Sequence, residues 1–453
     1  MKIHPIAVLL AACFGSAWAQ AADILSLYRD ALVYDAKFAS AKASLDAARE
    51  QLPQARAGLL PNVGLQASTA WNDTDTNVRA NPSFNVPRNY NSNGWTATLS
   101  QPLFRWQNWL GYKQSQFAVA QAEAQFVAVQ QDLIVRVAQA YFDVLLADET
   151  LALARAQKTA IAEQLEAAKR NFEVGTATIT DTHEAQARFD LATAQEIAAE
   201  NDLSAKHQTL RSIAGNEPQA VKRLKPEAQI GRPQPDDLGK WGESAEAGNA
   251  NVAAAQAALE VAGQEADKQR AGHYPTVDLV ASRGRSSVSS NSSLSNNNSP
   301  IFGPGLLPGT DTTISSIGVQ LSIPIYAGGA IQSRTVQALA LRDKAQADLD
   351  NARRSAGLGA RQAYLGVNSG LAQVKALEQA LVSSKLALDS NKLGYEVGVR
   401  INIDVLNAQQ QVFSTQRDLA KARLDTLSAL LQLKQAAGSL SEDDLSGING
   451  LLE

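Results

Sequence analysis

The amino-acid sequence contains one long series of motifs twice. Residues 58–68, Gly-Leu-Leu-Pro-Asn-Val-Gly-Leu-Gln-Ala-Ser, return as residues 272–282, Gly-His-Tyr-Pro-Thr-Val-Asp-Leu-Val-Ala-Ser. Leu-Ser-x-Pro, Ala-Tyr, Glu-Val-Gly and Asp-x-x-x-Ala-Gln then follow in the same order in each half. The chain is therefore a tandem duplication, and its fold must place each motif twice in equivalent surroundings.

The N-terminal residues are typical of an export signal. Lys2 precedes a short apolar run and small-residue cleavage patterns. The single cysteine, Cys13, lies in Leu-Ala-Ala-Cys, which is similar to a lipoprotein cleavage box. Lipidation at Cys13 and ordinary cleavage near Ala21 are therefore both open, and ordinary cleavage leaves a mature chain without cysteine. The net charge of −4, with no Lys/Arg cluster, indicates that nucleic acid is not a partner.

Beyond the signal, no run of 18 apolar residues occurs, so the sequence predicts no transmembrane helix. Four segments of about ten residues instead alternate apolar and polar side chains, as strands with one apolar face do. They begin near Val63, Trp95, Val277 and Ser316. A half-buried sheet of a soluble protein has the same alternation.

The connections favour membrane strands over that alternative. Residues 72–94 and 284–315 are long, polar and rich in Asn, Ser, Gly and Pro, as the outer loops of a membrane barrel are. Trp71 and Trp95 are predicted at the loop ends of their strands, where interfacial aromatic residues are expected.

Most of the remaining sequence predicts helices. Two long segments, 106–170 and 330–394, reach on the order of 100 Å each, and the shorter ones about 50 Å. Residues 405–436 carry an uncharged heptad seam, beginning Val405, Ala408, Val412, and a second apolar stripe on an adjacent face. The seam of the first copy departs from this pattern at Glu196 and Lys206. A helix with two seams suits a ring of helices, although a helix buried in an ordinary bundle has a similar pattern.

The duplication and these elements define the predicted domains, each repeat holding a helix, a strand hairpin, a long helix, a tip turn and a second helix. The boundaries are 1–21 for the signal peptide, 22–214 for the first repeat with hairpin 61–102, 215–241 for a proline-rich linker, 242–438 for the second repeat with hairpin 275–324, and 439–453 for a C-terminal tail.

Over residues 23–440, this order of motifs resembles the TolC-type outer-membrane efflux and secretion channels. The resemblance implies an α+β membrane protein, mainly α: a homotrimer in which four strands per chain close a 12-stranded barrel, continuous with a 12-helix periplasmic tunnel. Four strands cannot close a barrel alone, so the strand count independently requires an oligomer. The resemblance further implies an exit channel of a tripartite efflux or type I secretion system in the outer membrane. Its partners would be lipid, a periplasmic adaptor and an ABC or proton-driven inner-membrane pump.

The resemblance also implies site residues at the periplasmic tip. Two Val-Gly turns would form the adaptor-docking surface, at Val174, Gly175, Thr176, Val397, Gly398 and Val399. Tyr395 and Arg400 would form a closing network with Thr180 and Asp181, and Asp404 would project into the constriction. Related channels often carry a second acid where this chain has Asn407, so the sequence leaves a doubled acidic ring open. An exposed helix-start carboxylate is the alternative for Asp404.

No pattern predicts an enzyme, a cofactor or a metal site. The few histidines lack metal-ligand spacing, and Gly328-Gly329 lacks the lysine of a phosphate loop. A periplasmic coiled-coil adaptor is the alternative function, but such a protein would need one helical hairpin inserted in β-rich domains. The transported substrate is not encoded in any recognisable pattern.

Overall fold

A computed structural model describes residues 23–77, 85–176, 178–216, 220–225, 227–289 and 309–453. The predicted signal peptide with Cys13 and most of the predicted loop 284–315 lie outside these residues. The chain divides into two compact units. Of the described residues, unit 1 comprises those between 23 and 44, 123 and 254, and 350 and 453, and unit 2 comprises those between 45 and 122 and between 255 and 349. Each unit draws on both sequence copies.

Ten α-helices lie within the described residues. All overlap the segments that the sequence predicts except the last, Glu442–Asn449, which lies in the predicted C-terminal tail. Their bounds are α1 Ile24–Tyr34, α2 Ala36–Arg49, α3 Gln51–Ala57, α4 Trp106–Glu173, α5 Ile179–Ala214, α6 Leu238–Gly248, α7 Ala250–Arg270, α8 Ala330–Glu396, α9 Asn402–Ala436 and α10 Glu442–Asn449. No helix in the described part of the chain is long and apolar enough to cross a membrane.

Unit 2 contains a four-stranded antiparallel sheet in the order β1-β2-β3-β4. The strands are β1 Asn62–Asn77, β2 Asn85–Phe104, β3 Thr276–Val288 and β4 Thr310–Ser322. They are longer than the predicted ten residues, so the prediction of a loop over 72–94 was wrong: most of that segment is strand. Trp71 and Trp95 consequently lie within their strands rather than at the ends.

The alternation of side chains across the sheet is confirmed by the strand pairing. Leu65 pairs with Ala97, and Ala281 pairs with Leu99 on one side and Ile317 on the other. Because directly paired residues share a face, the apolar positions of all four strands form one surface. That surface is exposed within the chain: Leu65 is 75% and Ile317 77% accessible. The opposite face is polar and carries the Ser282–Ser316 hydroxyl pair at 2.8 Å.

The repeated Ala-Tyr pairs fix the segment between the copies to unit 1. The side chain of Tyr141 is fully buried, and its hydroxyl donates to the carbonyl of Lys222 at 2.8 Å. Burial raises the pKa of this phenol. In the second copy, the Tyr364 hydroxyl donates to Asp236 Oδ1 at 2.5 Å. Each copy therefore uses the same tyrosine to hold one end of the linker.

The heptad seam of α9 is mostly buried, as the periodicity predicts; Val405, Leu419 and Leu433 are among its buried members. The two charged departures in the first copy, on α5, are ion-paired. Glu196 lies 2.9 Å from Lys158 Nζ, and Lys206 lies 3.3 Å from Asp143. The hydrogen bond from Lys158 holds the pKa of Glu196 below its ordinary value. Charged seam positions are thus accommodated by partners on α4.

Candidate functional site at the helix turns

Both long helices end in turns of the same geometry. After α4, Gly175 has a φ of 77°, its N–H donates to Phe172 at 2.9 Å, and Thr176 N–H donates to Asn171 at 2.8 Å. After α8, Gly398 has a φ of 76°, and the two equivalent bonds measure 3.1 and 2.8 Å. Glycine is favoured here because side chains rarely adopt this left-handed conformation. The turns close the last helical carbonyls, as the sequence predicts.

All six predicted docking residues are exposed. The three valines are the most notable, because Val174 is 73%, Val397 66% and Val399 80% accessible. Phe172 and Ile401 beside the turns are also exposed. Apolar side chains gathered at exposed turns are typical of protein contact surfaces.

A side-chain hydrogen bond connects the ends of the two long helices. Asn171, on the last turn of α4, donates through Nδ2 to the hydroxyl of Tyr395 on α8 at 3.2 Å. Sequence reasoning missed Asn171, which lies just before the Glu-Val-Gly motif. Tyr395 therefore takes its partner from the other long helix.

The other members of the predicted closing network lie apart in this chain. Asp181 accepts from the N–H of Thr178 at 2.9 Å, and Thr178 Oγ1 accepts from the Asp181 N–H, so this carboxylate caps α5. Thr180 is exposed in the same first turn. Arg400 lies 3.6 Å from Asp404 on its own segment. The described contacts do not join Tyr395 or Arg400 to Asp181.

Arg188 supplies a contact that the sequence analysis did not identify. From α5, its Nη2 donates to Asn407 Oδ1 at 2.9 Å and its Nη1 donates to Gln410 Oε1 at 2.8 Å. Both acceptors lie on α9, so one guanidinium joins the two shorter helices. The heptad pattern does not predict this contact. The pattern describes the apolar seam positions, whereas this contact depends on the length of an arginine side chain outside the seam.

A small apolar cluster lies beneath this contact. Ile161 of α4, Ala192 of α5 and Leu406 of α9 are buried against one another, with Phe189 and Ile403 packed beside them. Apolar burial of this kind holds the third and fourth turns of α5 against the first two turns of α9. Arg188 then joins the same two helices from the exposed side.

The described residues contain no group of three or more His, Cys, Asp or Glu side chains that could hold a metal ion. The site therefore consists of exposed apolar turns, a carboxylate at Asp404 and arginine-centred contacts between helices. Exposed apolar turns of this kind can bind a protein surface.

Comparison with known proteins decides which family this architecture represents. The model of the family described as outer membrane efflux protein matches residues 27–216 and 241–439. The chain belongs to this family. Each match covers one of the two copies that the sequence shows.

The chain is also similar to individual proteins over most of its length. The outer membrane protein TolC of Vibrio cholerae is 33% identical over 454 residues, covering 100% of this chain and 99% of that protein. The alkaline protease secretion protein AprF of Pseudomonas aeruginosa is 34% identical over 431 residues, covering 94% and 86%.

Solved structures show the same fold at lower identity. The Campylobacter jejuni CmeC outer membrane channel has a TM-score of 0.76 at 17% identity, covering 94% of this chain and 88% of that one. VceC from Vibrio cholerae has a TM-score of 0.75 at 20% identity, covering 92% and 96%. The predicted fold, mainly α with four strands per chain, is confirmed. So is the location in the outer membrane with an extension into the periplasm.

Proposed function

We propose that three copies of this chain form a gated exit channel that passes substrates from an inner-membrane pump and a periplasmic adaptor to the exterior. The observation that carries the proposal is the sheet of unit 2, because it leaves an apolar face exposed and, among the described residues, its outer strands β1 and β4 each pair on one side only. An exposed apolar sheet face with open edges is unstable in water. In the proposed channel, lipid covers the apolar face, and neighbouring chains pair with the open edges of the sheet.

Three chains account for the strand number. One chain supplies four strands, and closure requires every strand to have two neighbours. In a trimer, β4 of one chain would pair with β1 of the next, giving twelve strands. The polar face would then line the lumen, where Ser282 and Ser316 already pair.

The helices supply the periplasmic part of the proposed channel. α4 contains 68 residues and α8 contains 67, so each extends about 100 Å. With α5 and α9, they provide helices for a tunnel wall. This chain shows two copies of helix, strand pair, long helix and helix, which argues against the alternative of a periplasmic adaptor with one inserted hairpin.

The exposed turns would dock the adaptor, and the start of α9 would line the constriction. Val174, Val397 and Val399 offer apolar contacts without the cost of first exposing them. Three Asp404 carboxylates around one axis would attract cations. Nothing in the site resembles catalytic machinery, so the energy for transport would come from the pump.

The first test is assembly and conduction. The purified protein is expected to migrate as a heat-sensitive trimer from outer-membrane fractions and to conduct ions in planar bilayers. A monomer that is soluble in water without detergent would refute the channel.

In the same recordings, Asp404→Ala is expected to lower the cation-to-anion permeability ratio. An unchanged ratio would show that Asp404 does not line the constriction.

A second test addresses adaptor docking. Val397→Cys introduces a reactive thiol at the α8 turn, and Leu365→Cys introduces a matched thiol at an exposed position, 56% accessible, in the middle of the same helix. With a bifunctional crosslinker in intact cells, the turn variant is expected to capture a periplasmic protein that the mid-helix variant does not. Equal capture by both variants would contradict docking at the turns.

A further inference from the structure

The exposed apolar face of the sheet changes character at one level along the strands. Toward the helices, β3 presents Val277, Leu279 and Ala281 on this face. The next two positions on the same face, toward the strand ends, are Arg283 and Arg285, and both are exposed. On the neighbouring β4, the change occurs at the same level, because Ile317 pairs with Ala281 while Ser315 and Thr313 pair with the two arginines.

On the other side of β3, the change comes one position later along the strand, because Arg283 pairs with Ala97 of β2. Arg285 pairs with Trp95 of β2, which is 42% accessible. Beyond Trp95, the same face carries Asn93 and Asn91, which are joined by a 3.1 Å hydrogen bond. Tryptophan is enriched where hydrocarbon meets headgroups. The arginines therefore lie at the edge of the apolar band rather than within it.

The two arginines differ in how they are neutralised. Arg285 lies 2.9 Å from Asp311 on β4. Arg283 has no ion pair or side-chain hydrogen bond to any of the residues the structure describes. An arginine facing hydrocarbon is destabilising at the middle of a bilayer and close to neutral at its interface. A free positive charge at this level thus suits an anionic headgroup.

We propose that Arg283 and Arg285 bind the phosphorylated headgroup of a lipid in the outer leaflet, while its acyl chains cover the apolar face below. The inference rests on the proposed function, because the channel orientation directs the strand ends toward the outer leaflet. Residues two apart on a strand lie roughly 7 Å apart on one face, so both guanidinium groups can reach one phosphate group. Arginine suits this role because its planar fork matches phosphate oxygens. Asp311 competes for Arg285 and limits the affinity.

The test measures lipid binding to the purified, delipidated trimer by native mass spectrometry. The probes are lipid A with its phosphates, dephosphorylated lipid A, and inorganic phosphate. Each interfacial arginine is expected to contribute about fivefold, so the wild type should prefer the phosphorylated lipid by up to roughly thirtyfold. Arg283→Gln combined with Arg285→Gln should abolish that preference. Arg334→Gln combined with Arg342→Gln removes the same charge from exposed positions of α8 and should preserve it.

Asp311→Asn separates lipid binding from a purely structural role of the ion pair. It breaks the same pair as Arg285→Gln but leaves the cation, so it should retain or strengthen the preference. Loss of the preference in Asp311→Asn, or equal binding of both lipid A forms by the wild type, would overturn the proposal. So would displacement of the lipid by inorganic phosphate at equal concentration. Failure to form a conducting trimer would instead refute the proposed function before lipid is added.

Discussion

The contact between Arg188 and α9 gives the sharpest test of the proposed gate, in which we expect this contact to favour the closed state. Arg188→Met keeps an apolar stem and removes both donors, which lie 2.9 Å from Asn407 and 2.8 Å from Gln410. A hydrogen bond from a charged group contributes about 1.5–3 kcal/mol, but this contact is partly exposed. We therefore assign about 1–2 kcal/mol per chain to the two bonds together.

Single-channel recording in a planar bilayer measures the consequence. If the contact exists only in the closed state, its loss raises the ratio of open to closed time by about five- to thirtyfold for one chain. Three chains that open together would amplify the effect. Arg417→Met on α9 is the control, since Arg417 is exposed and its guanidinium donates to the adjacent Asp418.

A double-mutant cycle decides whether Arg188 acts through Asn407. Asn407→Ala should raise the open-to-closed ratio alone, yet add little in the Arg188→Met background, with a coupling energy of at least about 0.5 kcal/mol. Fully additive effects would show that the two residues act separately. A ratio in Arg188→Met that stays within twofold of the wild type would refute the assignment of a closing role to this contact.

Two further predictions concern unit 1. Tyr395→Phe combined with Arg400→Ser should shift the equilibrium between closed and open states by about 1 kcal/mol toward the open state and so raise the resting conductance modestly. A resting conductance equal to that of the wild type in bilayer recordings would count against a role of these two residues in closing. Asp35 is almost fully buried against Arg136 at 2.8 Å, and the hydrogen bond from Arg136 lowers the pKa of Asp35. A lowered pKa stabilises the fold above the ordinary value of 3.8 and loses that contribution as pH falls through the lower native value. Asp35→Asn should therefore lower the free energy of unfolding by about 2–3 kcal/mol at pH 7. It should also weaken the fall of the melting temperature as pH is lowered. An unchanged dependence of the melting temperature on acid pH would contradict the pairing.

The sequence predicts the architecture well where one side-chain type repeats along an element. The heptad of α9 and the alternation on β4 both arise because one face is apolar, and both are confirmed by burial or pairing. The sequence does not predict the strands within residues 72–94, because polar side chains occupy both of their faces. These parts of the strands are held by backbone pairing, such as Asn72 with Tyr90, which requires no apolar pattern.

The site is less accessible to sequence reasoning than the fold. Gly175 and Gly398 could be predicted because a left-handed turn favours glycine. The Arg188 contact joins residues 219 positions apart, and Asn171 reaches Tyr395 across 224 positions. Neither pair belongs to a periodic pattern, so only the packing of the helices brings them together.

The same geometry predicts how a charge at position 407 would affect ion selectivity. Asn407→Asp would place a carboxylate within reach of the Arg188 guanidinium, where the two charges would largely cancel. Asn407→Asp alone should therefore raise the cation-to-anion permeability ratio only slightly, as measured by reversal potential in a salt gradient. With Arg188→Met, the new carboxylate is uncompensated and adds to Asp404, so the ratio should rise at least about twofold further. Equal ratios in the single and double variants would mean that Arg188 does not control the charge near Asn407. The charge near the start of α9 then depends on a helix contact as much as on the number of acids in the sequence.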